Sequence, residues 1–163
     1  MALPPFQRFV DAHAGEVRRF LAASVGPTDA DDALQETMIA ALRAYPALPA
    51  VTNLRAWVFT IAHRKAIDLH RARARRPVAV GGVPESVPAD AAATPGLARE
   101  DAEPELWAAV RGLPPKMRAA VTLRFAVDLS HAEIAAVLDC SEAAARRSLH
   151  EGLKRLRETW AHA

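Results

Sequence analysis

Apolar side chains along this chain return at three- and four-residue steps, and the gaps between the runs mark out short helices. Phe6, Phe9, Val10, His13, Val17, Phe20 and Leu21 form one face of a helix over 6–23, with Arg8, Arg18 and Arg19 largely off it. Gly26-Pro27 breaks that run. Thr28 is then expected as the N-cap of a helix over about 29–44, where Asp29, Asp31 and Asp32 suit the positive end of the helix dipole. Leu34, Met38, Ala41 and Leu42 make its core stripe, while Asp32, Gln35, Glu36, Ile39 and Arg43 occupy another face. Tyr45-Pro46 ends it, because a residue before proline resists helical geometry. After a stiff loop at 46–52, Thr52 or Asn53 caps a helix reaching Arg76, with Leu54, Trp57, Val58, Ile61, Ala62 and Leu69 inward.

Periodicity stops at Pro77 and resumes near Glu103. The intervening stretch has four prolines, three glycines and many alanines, which predicts a flexible linker. Beyond it lie a helix over 103–112 with Leu106, Trp107 and Val110, then a break at Leu113-Pro114-Pro115. A helix follows to Val127, offering Met117, Ala120, Val121, Leu123 and Phe125 to a core. Ser130-His131-Ala132-Glu133 is a capping box, and the helix it opens ends near Leu138. Asp139-Cys140 turns the chain, and Ser141 caps a helix that runs to about Trp160.

A short helix, a tight turn and a long basic helix make the helix-turn-helix pattern. Ala135, Leu138, Ala145, Leu149, Leu153 and Leu156 supply its packing face, leaving Arg146, Arg147, His150, Lys154, Arg155 and Arg157 outward. A plain helical hairpin with a solvated cationic face has the same pattern, and no glycine occupies the turn. Gly152, in mid-helix, is expected to cost about 1 kcal/mol relative to alanine. The predicted fold class is therefore all-α: two small helical domains, 1–76 and 103–163, joined by a flexible acidic Pro/Ala/Gly linker at 77–102, with the helix-turn-helix in the second.

The net charge of +2 says little until it is resolved along the chain. From Asn53 to Arg76, seven cations face one acid, Asp68. From Pro77 to Glu105, six acids face one Arg99. A helix with an apolar, aromatic anchor and a basic end suits phosphates and exposed bases, and it also suits an ordinary solvated surface. The 51% hydrophobic content is that of a globular chain. Neither a signal peptide nor an apolar run of membrane-spanning length is present, so a cytoplasmic protein is expected, with no membrane partner.

Catalysis finds little support. Cys140 is the only cysteine, excluding an intrachain disulfide or a thiolate cluster, and it is expected to pack as a small hydrophobe. His63 and His70, with Asp68 between them, sit two turns apart, about 10.5 Å, too far for one ion. His131 with Glu133 completes no metal or hydrolase motif, so no cofactor, no metal and no enzymatic activity are expected.

Three stretches carry a family resemblance: DDALQETMIAALRAYP at 31–46, NLRAWVFTIAHRKAID at 53–68, and LPPKMRAAVTLRFAVDLSHAEIAAVLDCSEAAARRSLHEGLKRLR at 113–157. In this order and spacing they resemble a bacterial sigma factor of the extracytoplasmic-function (ECF) type, which keeps only regions 2 and 4 of the sigma-70 family. The resemblance implies a subunit of RNA polymerase that selects promoters and helps melt them. It implies that Asp32, Gln35, Glu36, Ile39 and Arg43 dock on the clamp helices of the largest subunit of core polymerase. It implies −10 promoter contacts from Asn53, Phe59, His63, Arg64, Lys65, Asp68 and Arg71, with the 46–53 loop capturing a flipped base; Trp57 is assigned instead to the core. Arg146, Arg147, Ser148 and His150 would read the −35 element in the major groove, with Lys154 and Arg155 on phosphates. An anti-sigma protein is a further family expectation. Arg64 stands where the family often has asparagine, and Glu151 where it is usually basic. The alternative is a stand-alone helix-turn-helix regulator, which leaves the 31–43 face unexplained.

Overall fold

The computed structural model describes residues 2–76 and 104–161. These residues form seven α-helices and, among them, no strand: α1 (Phe6–Val25), α2 (Pro27–Ala44), α3 (Leu54–Arg75), α4 (Pro104–Arg111), α5 (Pro115–Phe125), α6 (His131–Leu138) and α7 (Glu142–Ala161). A 3₁₀ turn, Tyr45–Ala47, follows α2. The linker expected at 77–102 lies outside the described residues.

Helices α1 to α3 pack together. Gly26, at φ +93°, closes α1 by donating its N–H to the Ala22 carbonyl at 3.0 Å, and Pro27 starts α2 at once. The expected Thr28 cap is therefore incorrect. Proline's preset φ opens the helix two residues earlier, with no side-chain cap. Along α2 the buried residues are Ala30, Ala33, Thr37 and Ala41, small side chains that let it lie close to α1 and α3. Leu42, expected in the core, is one residue beyond that stripe, turned about 100° outward, and is 54% exposed.

The core of this first group is aromatic. Phe20 and Phe59 are fully buried and meet edge to face, ring centroids 5.7 Å apart. Phe9 lies 5.3 Å from Tyr45 and 5.7 Å from Trp57. Each such pair contributes about 0.5–1.5 kcal/mol beyond the area it buries. The Tyr45 hydroxyl donates to the Pro4 carbonyl at 2.7 Å, tying the turn after α2 to the N-terminal segment. Half-buried Trp57 joins this cluster, in keeping with a packing role.

In the second group α5 is central. Ala119 through Leu123 are all buried, because α4, α6, α7 and α1 each pack on part of its circumference. Phe125, at the open end of α5, emerges 51% exposed, contrary to its expected place in the core. The capping box at Ser130 is formed: its Oγ accepts from Glu133 N at 3.2 Å, and Glu133 Oε2 accepts from Ser130 N at 2.9 Å. Between α6 and α7, Asp139 takes the left-handed conformation, φ 51°, and Cys140 N–H reaches back to the Ala135 carbonyl at 3.0 Å. An aspartate tolerates this geometry through its short polar side chain, so the turn closes without glycine.

The two groups touch. Helix α6 packs on α3, and α4 and α5 pack on α1. A cavity of about 920 Å³ runs between α1, α4, α5 and α7.

Candidate nucleic-acid and protein-docking surfaces

Three surfaces collect the residues singled out by sequence. The first is one face of α2, where Asp32, Gln35, Glu36, Ile39 and Arg43 are all exposed. Ile39 is 50% exposed, and Leu42 stands beside it at 54%. Leu42 was not among the residues picked out for this face, because its spacing from Leu34 and Met38 reads as core. Two large apolar side chains within a rim of carboxylates, an amide and a guanidinium make a surface suited to a partner protein.

The second surface is α3. Asn53 caps it, its Oδ1 accepting from Ala56 N at 3.1 Å. Seven cations appeared equivalent in the sequence, and the fold separates them. Arg55 forms a fork with Glu16 of α1, with Nε to Oε2 and Nη2 to Oε1 both 3.1 Å. That hydrogen bonding raises the Arg55 pKa beyond its ordinary value, with burial opposing. Arg73 pairs with Asp29 and donates to the Val25 carbonyl at 3.1 Å, while His70 lies 3.0 Å from the Ser24 carbonyl. Both side chains thus cover the last carbonyls of α1, which lack helical partners. Lys65 Nζ is 3.7 Å from Glu36 Oε2, so it remains adjustable. Arg64, Arg71, Arg75 and Arg76 are exposed and carry no ion pair among the described residues. Asp68 is exposed among them.

Phe59 is a correction. The family resemblance implies a −10 contact for it, which would be stacking on an exposed base, but it lies on the inward Ala56, Phe59, Ala62 and Ala66 stripe with no accessible surface. Nothing can stack on it without dismantling the core. His63 stands half-buried between the two helical groups, and its pKa is lowered to about 4, first by burial and then by Arg118 and Arg64. It is therefore neutral at pH 7. Ahead of α3, Val51 is 94% exposed at the tip of the loop, which is braced by Thr52, whose N–H and hydroxyl donate to the Pro49 carbonyl at 3.0 and 2.7 Å.

The third surface is α7. Arg146, Arg147, His150, Lys154 and Arg155 are exposed, and Ser148 is half-buried beside them. Arg146 Nη2 donates to Glu142 Oε1 at 2.5 Å, one helical turn back. Ala145, Leu149, Gly152 and Leu156 form the buried stripe that aims the cations outward. Ser141 Oγ accepts from Ala144 N at 3.1 Å and sets the start of the helix. Glu151 is exposed on the same outer face. A helix of this shape, carried by a helix-turn-helix, suits a major groove.

No group of three or more metal-ligating side chains occurs among the described residues, and none of their helices is long and apolar enough to cross a membrane.

The same organisation is found in known proteins. Residues 9–76 match the family Sigma-70 region 2, and residues 104–156 match Sigma-70, region 4. The chain is 32% identical over 149 residues to the ECF RNA polymerase sigma factor SigD of Mycobacterium tuberculosis, covering 87% of this chain and 70% of SigD. It is 31% identical over 169 residues to the ECF sigma factor SigE of Mycolicibacterium smegmatis, covering 96% of this chain but 62% of that relative's length. Two solved structures share the fold. The sigma factor RpoE of Bartonella quintana, in complex with the anti-sigma factor NepR, superposes with a TM-score of 0.75 at 24% identity, over 94% of each chain. CnrH, in complex with the cytosolic domain of CnrY, does so at 0.72 and 23%, over 96% of this chain and 88% of CnrH.

Proposed function

Since the chain belongs to the ECF RNA polymerase sigma factors, we propose that it binds core RNA polymerase, directs it to particular promoters and assists their melting in the cytoplasm, with no catalysis of its own. The observation that carries this reading is the coexistence on one chain of two exposed cationic helices, α3 and α7, with a mixed apolar-acidic face on α2. A DNA-binding regulator acting alone has no use for the α2 face.

Residues 1–76 act as the region 2 domain and 103–163 as the region 4 domain, joined through 77–102. On α2, Ile39 and Leu42 anchor in the clamp helices of the largest subunit, with Asp32, Gln35, Glu36 and Arg43 around them. Around α3, Arg64, Lys65 and Arg71 hold the phosphates of the displaced strand, while Asn53, His63 and Asp68 face bases of the −10 element. The exposed loop before Asn53 receives a flipped base, whose unstacking costs a few kcal/mol that a pocket and cationic contacts offset. On α7, Arg146, Arg147, Ser148 and His150 read the −35 element, and Lys154 and Arg155 meet phosphate. An anti-sigma factor is a fitting partner, as the complex of RpoE with the anti-sigma factor NepR illustrates for RpoE.

Run-off transcription with core polymerase tests the reading. Arg146→Ala is expected to abolish dependence on the −35 element, with each lost guanine contact amounting to about 1–3 kcal/mol. Gln35→Ala is expected to weaken association with core polymerase. Failure of the wild-type chain to bind core polymerase at any salt concentration would refute it.

A further inference from the structure

Helix α7 carries an acid in the middle of its cationic outer side. Its buried stripe, Ala145, Leu149, Gly152 and Leu156, decides which side faces out. At about 100° per residue, Arg147 points directly away from the middle of that stripe, and Glu151, one turn on, lies about 40° round from Arg147. Both are exposed. The rotation of α7 is fixed at this turn, because Gly152 is pressed so closely on α5 that a Cβ there would lie 2.9 Å from Val121 Cγ2. Rolling Glu151 away from the outer side would pull α7 off α5.

The Glu151 carboxylate is also uncommitted. Arg147 and Arg155 stand four residues to either side, the spacing at which helical ion pairs form, yet neither pairs with it among the described residues. Glu142 differs, since its carboxylate is taken up by Arg146 at 2.5 Å. An exposed acid among Arg147, His150, Lys154 and Arg155 opposes every contact with phosphate. Its presence weakens binding unless a base edge offsets it.

The major groove offers one good partner for a carboxylate. Guanine presents only acceptors there, thymine an acceptor and a methyl group, and adenine sets its N7 acceptor beside the N6 donor. Cytosine presents the N4 donor with no acceptor on the same base.

We infer that Glu151 is a specificity-determining residue, accepting from cytosine N4, so that this chain selects a −35 element with a cytosine close to the guanine read by Arg147. The two residues are about 6 Å apart along the helix axis, and successive base pairs are about 3.4 Å apart. The two bases therefore lie within about two base pairs of each other. This deepens the promoter reading proposed above and rests on it.

The test uses the full chain as wild type, Glu151→Gln, Glu151→Lys and Arg147→Ala, after circular dichroism has shown equal helix content. Each is assembled with core polymerase and selects from double-stranded promoters randomised across the −35 element. Wild type is expected to favour cytosine over any other base at one position by about tenfold. Glu151→Gln is expected to move that preference to adenine and Glu151→Lys to guanine, following the groove partners of those side chains. Arg147→Ala is expected to lose a guanine preference within two base pairs of the same position. An acid that merely repels phosphate predicts something else: both Glu151 variants bind all promoters more tightly and keep the wild-type base preferences. That result, or a wild type with no preferred cytosine, overturns the assignment. The same selection from randomised duplexes by the chain alone separates the two readings. If cytosine preference there depends on Glu151 while no form of the chain assembles with core polymerase, the base contact stands and the sigma-factor reading fails.

Discussion

Gly152 offers a sharp test of how the reading helix is held. It lies in the middle of α7, where alanine is favoured by about 1 kcal/mol on propensity alone. Its backbone, however, presses on α5. A Cβ at this position would lie 2.9 Å from Val121 Cγ2, and 3.4 Å from both Met117 Cβ and the Met117 carbonyl oxygen. Carbon atoms in optimal contact are about 3.5–4.0 Å apart, so the first approach overlaps by more than half an ångström. Val121 is 3% exposed and β-branched on a helix, which leaves it essentially one rotamer and no room to turn aside. Relief has to come from moving α7 away from α5, and overpacking of this kind costs about 1–3 kcal/mol.

The two effects oppose, and the clash is the larger. Gly152→Ala is expected to lose up to about 2 kcal/mol, and Gly152→Val more, measured as a lower midpoint in urea with an unchanged slope. Val121→Ala removes the obstructing methyl, so in that background Gly152→Ala becomes stabilising by up to the propensity gain of about 1 kcal/mol. The double-mutant cycle isolates the contact. An increase in stability of that size for Gly152→Ala in the wild-type background would show that α5 and α7 are not in such close approach.

Three further outcomes follow from other contacts. Ser130→Ala removes the acceptor for Glu133 N and is expected to lower stability by about 0.5–2 kcal/mol in chemical denaturation, with Ser130→Asp largely restoring it. Phe59→Ala empties a site with no exposure beside Phe20 and is expected to cost about 3–5 kcal/mol, whereas Phe59→Leu keeps most of the stability and also keeps −10 binding, which a stacking residue would lose. His63 has its pKa lowered to about 4 by burial, Arg118 and Arg64, with His70 also depressed nearby, so packing of the two groups favours the neutral ring. Its contribution is complete above its unpacked pKa of about 6.5, and about 2 kcal/mol of it is lost by pH 5. Scattering between pH 7.5 and 5 is expected to show the wild type opening as pH falls and His63→Gln responding less; identical pH responses would remove His63 from the interface.

Most residues whose role depends on local chemistry were legible in the sequence, the exception being Thr28, whose capping place Pro27 pre-empts by starting α2 earlier. The Ser130 capping box, the Asn53 and Ser141 caps and the inward stripe of α7 rest on short-range spacing and hydrogen bonding, and each is present. The misplaced residues share a different cause. Leu42, Phe59 and Phe125 are all large and apolar, and each sits on a helix whose neighbours decide which side is inside. Helix α2 closes on a stripe of small residues, which turns Leu42 out. Helix α3 closes on Ala56, Ala62 and Ala66, which carries Phe59 in. Periodicity marks a face, but not how wide it is or which of two adjacent positions it centres on.

Helical periods, proline and glycine breaks and cap residues, all properties of neighbouring positions, settled the all-helical class and the succession of the seven helices found among the described residues, along with the motifs that point to the family, while a helix-turn-helix and a plain hairpin shared one pattern. Packing alone settled how the cations of α3 divide. Arg55 and Arg73 are bound to Glu16, Asp29 and helix-end carbonyls far away in sequence, while Arg64, Arg71, Arg75 and Arg76 are left exposed. The reason is physical: a charge is written in the chain, but whether it is neutralised depends on which acid or carbonyl the fold brings within about 3 Å. The same holds for Gly152, whose lack of a side chain looks like a weakness within α7 and becomes a requirement once α5 lies against it.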